Sequence, residues 1–142
     1  MRSYRKSSHA VHDLKVHLIW ITKYRYKVLT KEIGIRIREI IRQVCDSNQI
    51  EIIKGRVSKD HVHIYVSYPP KLSVSEMVRL MKGRSSRRIQ EEFPQLSKRY
   101  WGKHFWGIGY AGAYVQFRGN EFHTRNARSR QLQEQRRAKA QR

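Results

Sequence analysis

Two histidines separated by one residue, His61 and His63, lie in the stretch SKDHVHIYVSYPP at residues 58–70. Successive side chains on a strand point to opposite faces, so residues i and i+2 share one. Both imidazoles therefore look the same way, while Val62 and Ile64 turn to the other side. Neutral imidazoles ligate divalent ions, and a pair on one face leaves coordination positions open for a phosphate oxygen. Asp60 directly precedes the pair, where a carboxylate can fix a ring tautomer from behind. The plainer reading is two polar side chains on a wet face. A closed structural zinc site fails, because it asks for four ligands including cysteines and Cys45 is the only cysteine.

The elements that must position this pair follow from periodicity. Residues 1–11 read as a loose basic arm. From His12, the stretch HDLKVHLIWITKYR sets Leu14, Val16, Leu18 and Trp20 against Lys15 and His17, the period of a half-buried strand. From Lys31, the residues Ile33, Ile37, Ile40, Ile41 and Val44 form one helical stripe, with Arg36, Arg38 and Arg42 outside it. Cys45 falls inside this pattern as a small buried hydrophobe, and Asp46, Ser47 and Asn48 supply stop chemistry. IEIIKGRVS predicts a second strand, Lys59-Asp60 a tight turn and HVHIYVSY a third strand. Pro69-Pro70 ends that strand. Ser73 with Glu76 three residues later is a capping-box signature for a second helix. That helix runs through Met77, Val78, Met81, Ile89 and Phe93 and closes at Pro94. In its middle KGRSSRR combines small residues with Lys82, Arg84, Arg87 and Arg88, either a solvated face or a nucleic-acid face. YWGKHFWGIGYAGAYVQF then predicts a fourth strand with an irregular lead-in. Strand, helix, strand, strand, helix, strand is a split βαβ, or ferredoxin-like, α+β arrangement. It implies a four-stranded antiparallel sheet with both helices on one face.

Composition adds the partner. The 142 residues include 31 Lys or Arg against 11 Asp or Glu, a formal charge of +20. Such a surplus repels itself unless a polyanion neutralises it, and nucleic acid releases counterions when it does so. The single cysteine forbids an internal disulfide, the N-terminus lacks an apolar signal core, and no apolar run approaches a membrane span. A cytoplasmic protein without a membrane partner is expected.

Four stretches in order then carry a resemblance: HLIWITKYRYKVL, DHVHIYVSYPP, SVSEMVRLMKGRSSRRI and FPQL…WGKHFWGIGY. Together, over roughly residues 12 to 110, they resemble the small, single-tyrosine, TnpA-like insertion-sequence transposases of the HUH single-strand nuclease superfamily. The resemblance implies that His61 and His63 bind Mg²⁺ or Mn²⁺ with help from a glutamine on a C-terminal helix. It also implies that a tyrosine four residues before that glutamine attacks the scissile phosphate, forming a 5′-phosphotyrosine and freeing a 3′-hydroxyl. The implied substrate is single-stranded DNA with hairpins, and the implied assembly is a homodimer. KYRYK, with Lys23, Arg25 and Lys27, and the KGRSSRR helix are the natural surfaces for phosphates and unpaired bases.

The pattern breaks near the end. Residues 118–142 contain no tyrosine, eight Lys or Arg, and only Phe122 and Leu132 as large apolar residues. Such a segment cannot bury a helix face and reads as a loose basic tail following the 12–117 domain. Within QLQEQ, Gln135 can stand for the glutamine ligand, but Gln131 occupies the tyrosine place. Tyr110 and Tyr114 are the remaining nucleophile candidates, and packing is their ordinary role. A transposase with impaired chemistry is the first expectation. The rival is a non-catalytic RNA-binding module of the same fold, stacking bases on Trp20 and Tyr65.

Overall fold

A computed structural model of the chain describes residues 5–6, 11–98, 104–118 and 121–126. Arg5–Lys6 (β1) and Val11–His12 (β2) pair as a small antiparallel ribbon, inside and beside the stretch expected to be a loose arm. The main elements follow as β3 (Lys15–Ile21), α1 (Lys31–Ser47), β4 (Glu51–Val57), β5 (His61–Ser67), α2 (Val74–Glu92), β6 (Ala111–Arg118) and β7 (Glu121–Asn126). The sheet order is β4-β5-β3-β6-β7, and every neighbouring pair is antiparallel. Its first four strands with the two helices are the expected α+β, ferredoxin-like arrangement.

Within the stretch read from sequence as a loose basic tail, Glu121–Asn126 pairs with β6 from Ala113↔Asn126 to Arg118↔Glu121. An edge strand is held by backbone hydrogen bonds along one side and does not require the apolar face a helix would. Composition therefore argued against a helix there without arguing against a strand.

Both helices cover one face of the sheet. Val16, Leu18 and Trp20 of β3 and Val62, Ile64 and Val66 of β5 are buried with Ile37, Ile41 and Val44 of α1 and Met77, Met81 and Ile89 of α2. Cys45 is buried in this core with its sulfur 3.7 Å from that of Met81, and burial pushes its thiol up to about 12. Ser73 caps α2 as its sequence predicts, its Oγ accepting the Glu76 N–H at 3.1 Å. α1 stops where expected, the Asn48 side-chain amide donating to the Val44 carbonyl at 2.8 Å.

The small residues inside α2 have a structural use. Ser85 is fully buried and its Oγ receives the indole N–H of Trp106 at 3.0 Å. Trp106 in turn packs edge-on against Trp20 (6.0 Å) and Phe105 (4.8 Å). The irregular lead-in to β6 is thereby anchored to the core, and it turns at Gly109, whose φ of +83° suits a residue without a Cβ. No helix among the described residues is long and apolar enough to cross a membrane.

Candidate metal and DNA face

The pairing of β5 with β3 builds the site. Across the two strands His61 faces Ile21, His63 faces Ile19 and Tyr65 faces His17. Directly opposed residues share a face, so these six side chains lie together on the side of the sheet away from α1 and α2. His63 is exposed and His61 half-buried, their strand positions roughly 7 Å apart. On the other side of β5, Arg56 of β4 opposes His63.

Asp60 lies against the first histidine. Its Oδ1 lies 2.8 Å from His61 Nδ1. An ionised carboxylate only accepts hydrogen bonds, so Nδ1 carries a proton, and in the neutral ring Nε2 is then the acceptor. The hydrogen bond to His61, with the nearby Arg25 charge, holds the Asp60 carboxyl below the ordinary range. Arg25 itself reaches Asp60 Oδ2 at 3.3 Å.

Sequence reasoning passed over His17 as a site residue. Its ring stacks on Tyr65 at 4.1 Å with planes 7° apart, and it lies 5.7 Å from the His63 ring. Burial and the neighbouring His63 lower its pKa and favour the neutral ring. The signal was present in KVHLIW, whose alternation turns His17 away from the core. What the string lacks is the register of β5 on β3.

Other candidates are placed elsewhere. Tyr114 pairs with Val16, on the face that the helices cover, and lies near the buried Tyr68. The Tyr110 hydroxyl is 3.1 Å from Ser75 Oγ of α2, on that same side. Neither tyrosine shares a face with the imidazoles: strand alternation fixes the side of Tyr114, and the Ser75 contact fixes that of Tyr110. Lys82 is also diverted from the DNA-facing role expected of it. Its ammonium donates to the Gly107 carbonyl at 2.7 Å and the Gly109 carbonyl at 3.0 Å, strapping the lead-in of β6 to α2. Burial lowers its pKa. Arg88 bonds Gln43 Oε1 at 3.0 Å, whereas Arg84 and Arg87 are exposed on α2, across the sheet from the histidines. Lys27 is exposed, and Lys23 sits over the Tyr24 ring. Trp20 is 1% exposed in the core and Tyr65 is covered by His17, so the base-stacking pair expected of an RNA reader is not displayed. Gln135 lies outside the described residues.

The donor set fits an open, weakly held ion. Two imidazoles share an accessible face and one has its tautomer set by Asp60, while among the described residues no group of three or more His, Cys, Asp or Glu is arranged to hold a metal. A separate groove of about 450 Å³ between α1 and β4 is lined by Lys31, Arg38, Arg42 and Arg56 together with Ile35, Ile52 and Ile64.

A model of the family described as transposase IS200 like matches residues 10–123. The chain belongs to the IS200-like transposase family. It is 36% identical over 106 residues to the ISDra2 transposase TnpA of Deinococcus radiodurans, covering 75% of this chain and 76% of that protein. With the transposase for insertion sequence element IS200 of Salmonella typhimurium it shares 31% over 103 residues, 72% of this chain and 68% of that one. A crystal structure from Deinococcus radiodurans R1, described as a transposase, superposes with a TM-score of 0.72 at 28% identity, covering 94% and 96% of the two chains. A REP-associated tyrosine transposase bound to a REP hairpin shares the fold, with a TM-score of 0.57 at 17% identity over 83% of this chain and 64% of that one. IS200-like transposases are HUH nucleases of single-strand DNA transposition.

Proposed function

We propose that this IS200-like transposase engages hairpin single-stranded DNA at insertion-sequence ends, and that His61 and His63 are its metal ligands. The observation that carries the reading is the register of β5 on β3, which puts both imidazoles on the uncovered face with His61 oriented by Asp60. A Mg²⁺ or Mn²⁺ ion held there supplies a Lewis acid for the scissile phosphate. Asp60 would keep His61 Nε2 directed outward and His63 would present the second nitrogen, while Gln135 is the residue that can stand for the family's glutamine ligand. Lys23, Lys27, Arg84 and Arg87 are the cations left to meet phosphates. The protein works as a homodimer, and its DNA is a folded single strand of the kind that one fold relative holds as a REP hairpin.

The covalent step is where this chain departs from its family. Residues 115–142 contain no tyrosine, and Tyr110 and Tyr114 emerge on the helix-covered face. The protein therefore binds DNA and a divalent ion but forms little phosphotyrosine adduct. Isothermal titration of Mn²⁺ into the wild type and the His61→Ala/His63→Ala double variant tests the metal site. Binding should vanish in the variant while most salt-sensitive affinity for single-stranded DNA persists; unchanged Mn²⁺ binding would remove the site. Denaturing electrophoresis after incubation with hairpin DNA and Mn²⁺ tests the impairment, which a tyrosine-linked product would overturn.

A further inference from the structure

The turn leaving β3 holds its residues in an uncommon backbone state. Tyr24 (φ 59°, ψ 13°) and Arg25 (φ 53°) occupy the left-handed region in succession, where side chains other than glycine are infrequent. Such a conformation persists only where its surroundings impose it, and it concentrates at functional positions. Here the surroundings are explicit. Thr22 is fully buried, its N–H donating to the Asp60 carbonyl at 2.9 Å and its Oγ1 to the Tyr26 carbonyl at 2.8 Å. The Lys23 N–H donates to the Phe105 carbonyl at 2.9 Å and the Arg25 N–H to the Thr22 carbonyl at 3.0 Å. The Arg25 side chain closes the turn from outside on Asp60.

The product of this constraint is an aromatic ring held out in water. Tyr24 is 68% exposed, so it contributes little to the core. Its ring lies 5.4 Å from that of Tyr26 at 52°, and the Lys23 ammonium sits 5.1 Å from its centre. An exposed aromatic ring with a lysine against it is the combination that single-stranded nucleic acid meets, base on ring and phosphate on cation. The site is also tied to the metal face. Asp60 takes His61 on Oδ1 and Arg25 on Oδ2, so one carboxylate joins the turn to the first imidazole.

We propose that Tyr24, flanked by Tyr26 and Lys23, is a stacking site for one unpaired base of single-stranded DNA, set beside the histidine pair through Asp60. The assignment rests on the single-strand reading above and adds to it a place for a base next to the cleavage face. It predicts that the bound base lies in the strand flanking the hairpin, since a paired base keeps its faces stacked in the duplex.

The test uses a hairpin oligonucleotide carrying a single-stranded flank with one 2-aminopurine, and the same hairpin without the flank. Tyr24→Gly removes the ring while suiting a positive φ, so the turn keeps its shape; Tyr24→Phe keeps the ring. Wild type and Tyr24→Phe should bind the flanked hairpin alike and change the 2-aminopurine emission. Tyr24→Gly should lose roughly tenfold in affinity for the flanked hairpin, with unchanged affinity for the bare hairpin and unchanged Mn²⁺ binding. Wild-type affinity for the flank in Tyr24→Gly overturns the stacking site alone. A flank that adds nothing to wild-type binding overturns the single-strand reading with it. Equal loss on both hairpins shows a general contact and also overturns the proposal.

Discussion

At Ser85 a single hydroxyl reconciles two sequence signals. A serine is weak chemistry for the middle of a helix, yet a larger side chain would collide with Trp106, and an alanine would leave the indole N–H unpaired. Ser85→Ala should lower stability by about 1–3 kcal/mol and Ser85→Leu by a similar amount through overpacking, both read as urea midpoints. His17 is the corresponding residue on the open face. Stacked on Tyr65 and close to His63, it limits the freedom of the His63 ring. His17→Ala should weaken Mn²⁺ binding by on the order of tenfold, the size seen when a ligand loses its orienting partner, whereas His63→Ala should abolish it. Calorimetry separates the two. His61 and His63 were legible as a pair because their spacing is local, and Asp60 because it adjoins them. His17 was not, because its role depends on a strand more than forty residues away in sequence.

Between elements, the helix ends and the clasp joining the helices can be tested. Gln49 follows α1 with φ 59°, a position where glycine avoids a Cβ clash; Gln49→Gly should raise the melting temperature, by about 1 kcal/mol in stability. Ser73→Ala removes the α2 cap and should cost about 1 kcal/mol. Arg36 of α1 holds Glu92 of α2 with two hydrogen bonds of 2.7 and 2.8 Å and Glu39 with a third. The bonds from Arg36 hold the Glu92 carboxyl below the ordinary glutamate range. A carboxyl whose folded pKa is depressed stabilises above its unfolded pKa and loses that contribution as pH falls through the folded one. The difference in stability between wild type and Glu92→Gln should therefore be constant near neutrality and shrink below pH 4.5. Being exposed, the clasp should also weaken with salt.

For the whole molecule the controlling quantity is charge. With a formal +20, affinity for single-stranded DNA should fall steeply with salt, log K changing by about −0.7 per neutralised phosphate. Arg84 and Arg87 lie across the sheet from His61 and His63, so Arg84→Ala/Arg87→Ala should flatten that slope without altering Mn²⁺ binding. Filter-binding titrations at several salt concentrations measure it. Lys82→Met is expected to behave differently. Its ammonium is engaged by the carbonyls before β6, so the change should lower stability and leave the salt slope nearly intact.

Periods of two and of 3.6 residues are properties of the chain itself, so the string alone determined the order of the principal strands and helices, the split βαβ arrangement and the shared face of His61 and His63. The caps and the nucleic-acid partner were equally local or compositional. Tertiary structure alone decided who stands beside them. Strand pairing brought His17 to the imidazoles and to Tyr65, turned Tyr114 to the other side, and added Glu121–Asn126 to the sheet edge. Those outcomes depend on hydrogen-bond register between segments far apart in sequence, and a register shifted by one residue would reverse every one of those faces.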